Sequence, residues 1–107
     1  MNSMLLFMQT KGDRYDARAE YNPSTKQTIV LKGSRVSVDI AYSRSFRGTN
    51  KIERLRSKYV VNNIVQENVE FKSSSTAASF VSGRSMTGYA VWKDATGKRL
   101  GEIISEL

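Results

Sequence analysis

Apolar and polar side chains alternate with a period of two early in the chain. Tyr15, Ala17, Ala19 and Tyr21 fall on one side, and Asp16, Arg18 and Glu20 on the other. That pattern predicts a strand with one face buried. Leu5 and Phe7 open an earlier apolar stretch that ends at Lys11-Gly12-Asp13. Asn22-Pro23-Ser24-Thr25 reads as a turn, because Pro fixes φ while Asn and Ser bond their own backbone. Thr28 to Leu31 forms a compact β-branched run, and Gly33-Ser34 carries a two-residue hairpin signal. Val36, Val38, Ile40 and Tyr42 then alternate with Ser37, Asp39, Ala41 and Ser43. Four strands joined by short turns predict an antiparallel meander and not βαβ units.

The period changes after Gly48. Thr49 or Asn50 is placed to cap a helix over Lys51 to about Val61. Ile52, Leu55 and Tyr59 make its apolar stripe, with Lys51, Arg54 and Lys58 as a basic stripe beside it. Ile64 to Phe71 reads as a loop ending in a short strand. A second helix is predicted from Ser74 to about Ser82, with Ser73 as N-cap and Gly83 as the C-terminal stop. Its Ala77, Ala78 and Val81 form a small-residue face. Tyr89 to Lys93 reads as a strand, Asp94-Ala95-Thr96-Gly97 as a turn, and Leu100 to Leu107 as a short helix. The expected architecture is a single α+β domain over residues 1–107. An antiparallel sheet, built as an N-terminal β-meander, is packed by two short helices and followed by a C-terminal strand–turn–helix.

Composition narrows the chemistry. The 107 residues include no cysteine and no histidine. Disulfide frameworks, thiol chemistry, Cys/His zinc sites and mechanisms built on an imidazole base are excluded. The carboxylate pairs Asp13/Asp16, Glu67/Glu70 and Glu102/Glu106 lack the apolar surroundings that raise a carboxyl pKa, and read as solvated surface. Gly83-Arg84-Ser85-Met86-Thr87-Gly88 has the glycine spacing of a phosphate loop, but Tyr89-Ala90 stands where that loop needs Lys followed by Ser or Thr. A helix stop and a turn explain it better. No catalytic residue, metal or cofactor is expected. The apolar run from Met4 to Met8 is too short for a signal peptide or a membrane span, so the expectation is a cytoplasmic protein with no membrane partner.

Charge carries the strongest signal. The formal net charge is +7. Lys32, Arg35, Arg44, Arg47, Lys51, Arg54, Arg56 and Lys58 crowd one stretch, opposed only by Asp39 and Glu53 and interleaved with Tyr42, Phe46 and Tyr59. Such a stretch suits a polyanion backbone. The candidate nucleic-acid contacts are Lys32, Arg35, Arg44, Arg47, Lys51, Arg54 and Lys58. The plainer reading is a basic face that keeps the chain soluble. Ser73 and Ser75 at a helix N-terminus, with Arg84 and Trp92, form a second candidate set for an anion or ligand. Capping for the serines and a core role for Trp92 are the structural readings beside it.

A longer pattern joins these pieces. Phe71-Lys72-Ser73-Ser74-Ser75-Thr76-Ala77-Ala78, then Val81, Gly83-Arg84, Gly88-Tyr89, Trp92-Lys93, Gly97 and Leu100 resembles a bacterial family of domains of unknown function. That family's pattern is roughly Phe-x-Ser-Pro-Ser-x-Ala-Ala, Gly-Arg, Asn-Gly-Trp, Trp-Lys, Gly and Leu. Ile29-Val30-Leu31-Lys32-Gly33-Ser34 resembles its Val-Leu-Lys-Gly-Ser segment. The family occurs C-terminal to GIY-YIG-type nuclease domains and is similar to the domain associated with restriction enzymes and adenine methylases. The resemblance covers about Tyr15 to Leu100. This chain departs from it at Ser74, where Pro is usual, and at Thr87-Gly88-Tyr89, where Asn-Gly-Trp is usual. The resemblance implies an accessory module working on DNA beside a nuclease or methylase, without catalysis of its own. The alternative reading is a protein-interaction or oligomerisation domain, followed by a sensor of a small ligand or modified base.

Overall fold

The computed structural model describes residues 3–10, 14–38, 40 and 49–107. Strand β1 (Met4–Gln9), strand β2 (Asp16–Tyr21) and strand β3 (Thr28–Val30) follow the predicted alternation. Leu6, Met8, Ala17, Ala19, Tyr21, Thr28 and Val30 are buried on one face, and Asp16, Arg18 and Glu20 stand in solvent on the other. The register pairs Leu6 with Ala19 and Met8 with Ala17, long side chains against short ones. Alanine in the middle of β2 leaves space above the sheet for a closely packed layer.

Helix α1 (Thr49–Tyr59) and a two-stranded hairpin, β4 (Val60–Val61) and β5 (Ile64–Val65), come next. Then follow β6 (Val69–Phe71), helix α2 (Ser74–Ser82), the single helical turn α3 (Gly88–Val91) and helix α4 (Leu100–Ser105). The main sheet is antiparallel in the order β1-β2-β3-β6. The molecule is an α+β fold with α2 packed across β3 and β6. Phe71 of β6 and Phe80 of α2 meet with ring centroids 5.2 Å apart. Among the described residues no helix is long and apolar enough to cross a membrane.

The fourth strand of the sheet differs from the expected one. It is β6, and the stretch from Val36 forms no strand in the described residues. The backbone of this segment is tied residue by residue to different elements. Arg35 exchanges both hydrogen bonds with Asp16, Val36 N–H donates to Asn63 O, and Ser37 N–H donates to Val81 O. No single ladder uses its period of two, and Val38 is left 78% exposed. Residues 39 and 41–43 of the expected strand lie outside the described residues.

Two boundaries also shift. Helix α1 takes in Thr49 and Asn50, expected as its caps, and stops at Tyr59. Val60 and Val61 leave it to pair with Val65 and Ile64 around the Asn62-Asn63 turn. Both asparagines have positive φ, 51° and 65°, as the mirror-image two-residue hairpin turn requires.

The predicted helix α2 is present from end to end. Ser73 is extended and its Oγ accepts from Thr76 N–H. Gly83 adopts the left-handed conformation, φ 71°, and returns its N–H to Ser79 O. A side chain at that φ would be strained, so glycine ends the helix cheaply.

Tyr89 to Lys93, expected as a strand, is helical up to Val91. Only Lys93 pairs in β fashion, with Phe7 on the free edge of β1 and with Arg99. The reason is an anchor at each end. Gly88 lies so close to α2 that a Cβ there would fall 2.3 Å from Ser74 Oγ. Trp92 is buried and its indole Nε1–H reaches Ser74 O. A helical turn spans those two anchors, whereas an extended segment would overshoot them.

Candidate functional site

Three groups of basic side chains meet three different fates. On α1 the apolar stripe faces inward, with Ile52 buried and Leu55 and Tyr59 half-buried against the core. Lys51, Arg54 and Lys58 therefore stand on the outer side, all exposed. Lys58 Nζ lies 5.1 Å from the centre of the Tyr59 ring, a cation–π contact that leaves the ammonium in solvent. Among the described residues neither Lys51 nor Arg54 has an ion-pair partner. Lys32 is exposed on the turn after β3, where its backbone N–H is held by Asn68 Oδ1 at 2.9 Å. Arg44 and Arg47 lie outside the described residues.

Arg56 goes the other way. Its Nε and Nη2 donate to Phe80 O, at 3.0 and 2.9 Å. Nη1 donates to Ser37 O at 2.8 Å, and Nη2 also meets Val81 O and Ser37 Oγ. Ser37 Oγ donates onward to Ser82 O at 2.7 Å. The guanidinium thus closes carbonyls at the C-terminal end of α2, where helix carbonyls lack partners and a cation suits the dipole. Desolvation pulls its pKa down to about 10, so it remains a cation at neutral pH. Counting Arg56 with the surface bases overstates the exposed charge: it is a structural clamp between α1, the Ser37 segment and α2.

The third group lines a cleft. Arg14 precedes β2, Arg35 lies on the segment bridged to Asp16, and Arg84 follows the Gly83 stop of α2. They share one cavity of about 800 Å³ with the Asn62-Asn63 turn and Met86. Tyr15 lies in its wall, and burial raises the phenol above its ordinary value of 10.0. Among the described residues lining the cleft none is acidic, and none of the three guanidinium groups has a hydrogen-bond or ion-pair partner. Asp16 lies opposite Arg35 across an isolated antiparallel bridge. It accepts from Gln9 Nε2 at 3.1 Å and does not line the cavity. Arg35, read from sequence as a backbone contact, and Arg84, read as part of a ligand set, are brought together here.

The rest of that ligand set does not join them. Ser73 Oγ caps Thr76, and Ser75 Oγ accepts from Gly88 N–H at 2.9 Å. Trp92 is wholly buried with its N–H satisfied. The N-terminus of α2 is covered by Gly88, so it presents no open anion site. None of these three residues lines the cleft of Arg84. Sequence reasoning missed Arg14 and the Asn62-Asn63 turn. The turn had a signal, a pair of asparagines between two apolar β-branched pairs; Arg14 had none.

A family model described as Domain of unknown function (DUF4357) matches residues 7–104. No curated protein and no solved structure matches the chain.

Proposed function

The chain belongs to the DUF4357 family of domains of unknown function, and on that premise we propose that it is a non-catalytic module that binds nucleic acid, DNA foremost, along its basic surface. The observation that carries this reading is the outer face of α1. Lys51, Arg54 and Lys58 recur at helical spacing, stand exposed, and lack carboxylate partners among the described residues. Cations so arrayed neutralise successive phosphates and release condensed counterions. Lys32 and Arg35 add charge from the sheet side. A backbone-reading surface of this type fits an accessory role beside a nuclease or methylase, which the family pattern in the sequence also suggests.

The test is charge reversal. Lys51→Glu, Arg54→Glu and Lys58→Glu together should abolish binding to duplex DNA and leave the fold intact, since none of the three is in the core. Arg84→Ala is the control, because it lies outside α1. If the triple variant binds like the parent while Arg84→Ala does not, the α1 reading is wrong.

A further inference from the structure

Three guanidinium groups in one cavity, without partners among the described residues, call for an anion of more than unit charge. Each offers a planar fork of donors matched to phosphate oxygens. They come from three separate parts of the chain, so the fold and not a local run of bases assembles them. The cavity, about 800 Å³, lies within the size range of small-molecule sites. Its remaining wall is mixed. Met86 and Ile64 supply apolar surface, and the Asn62-Asn63 turn supplies amides that both donate and accept. Phosphate plus a planar, edge-polar, face-apolar group describes a nucleotide. A phosphate monoester carries up to about two negative charges, whereas a linkage within a strand carries one.

We propose that the cleft of Arg14, Arg35 and Arg84 binds the phosphate monoester of a nucleotide. The monoester belongs either to a free nucleotide or to the 5′ end of a strand. This deepens the nucleic-acid reading and rests on it for the strand-end source. The α1 face holds the strand without regard to its ends, and the cleft recognises a terminal phosphate.

Two experiments separate the sources. The first compares two single-stranded oligonucleotides of one sequence, labelled at the 3′ end, with 5′-phosphate or 5′-hydroxyl. The second titrates the protein with thymidine 5′-monophosphate and with thymidine by calorimetry. A strand end is the ligand if the phosphorylated strand binds tighter by about tenfold, the scale of a charge-assisted contact. A free nucleotide is the ligand if the monophosphate binds and thymidine does not. Either result should vanish in Arg84→Ala and in Arg35→Ala, with Arg84→Lys retaining part of it. Each side chain is exposed, and unchanged thermal unfolding confirms the fold. Equal affinity for both strands together with no monophosphate binding overturns the proposal. In that case binding of both strands leaves the α1 reading standing. If neither strand binds, the duplex titration decides the α1 reading, and the calorimetry alone decides the cleft.

Discussion

The indole Nε1–H of Trp92 donates to the carbonyl oxygen of Ser74 at 3.0 Å. With the Gly88 N–H on Ser75 Oγ, this bond ties the α3 segment to the first turn of α2. Trp92 is fully buried, so the residue packs and satisfies a buried carbonyl at once. Trp92→Ala should cost about 3–5 kcal/mol, as expected for an aromatic removed from a core. Trp92→Phe should recover part of that loss. The parent's emission should be blue-shifted and inaccessible to a soluble quencher; red-shifted, quenchable emission would contradict the burial.

The start of α2 makes a paired prediction. Ser73→Ala removes the acceptor for Thr76 N–H and should destabilise by about 0.5–2 kcal/mol. Ser74 is the first helical residue, and Ser73 before it is extended, φ −142° and ψ 152°. That is the conformation a following proline demands. Ser74→Pro should therefore be neutral or stabilising, by up to about 1 kcal/mol. Denaturant curves on both variants check the pair, and a severe loss in Ser74→Pro would contradict the assigned helix start.

Arg56 should matter for stability and not for direct contact with a ligand. Arg56→Ala strips donors from Ser37, Phe80 and Val81 carbonyls and should cost about 3 kcal/mol. Arg56→Lys should restore little, because a point charge cannot serve a planar fork of acceptors. Folding lowers this pKa from its higher ordinary value to about 10, so the unfolded chain holds the proton more tightly. The sign follows: stability would rise with pH only between those two values, and Arg56 contributes no slope near neutrality.

Asp94 sets an effect of the same sign at acid pH, stability again rising with pH. Its Oδ1 accepts from Thr96 Oγ1 and from the backbone N–H of Thr96 and Lys98. Chiefly the Thr96 hydroxyl, then the Lys98 N–H, hold the carboxyl below its ordinary 3.8. The turn's contribution is present above that value and is lost as pH falls through the lower folded value. Asp94→Asn should flatten the acid limb of a stability–pH profile, because its neutral stability falls toward the level the parent has with this carboxyl protonated. An unchanged acid limb would contradict the assignment.

How much was legible in the sequence depends on whether the partners are local. Helix α2 was readable from end to end because Ser73 and Gly83 act within a few residues. Strand β2 was readable because burial imposes its period of two. The Val36 segment was not, since its backbone is divided among Asp16, Asn63 and Val81, and no window of sequence contains those partners. Tyr89 to Trp92 has strand-forming side chains, but Gly88 and Trp92 are pinned to Ser74 and the turn bends to suit them. The exposed face of α1 followed from its spacing. The cleft did not, because Arg14, Arg35 and Arg84 meet only once the chain has folded. Arg56 differs from its neighbours on α1 only by its position around the helix, which decides whether a base meets solvent or carbonyls.

The measurement that tests the central claim most directly is a titration of the parent protein with duplex DNA, at about 50 and about 200 mM salt. If the α1 face neutralises phosphates, log K should fall linearly with log salt, at a slope of about −0.9 per phosphate contact. Replacing Lys51, Arg54 and Lys58 by Glu should remove that binding at both salts. A parent that shows no salt-dependent binding to DNA would contradict the account and leave a protein-interaction domain in its place.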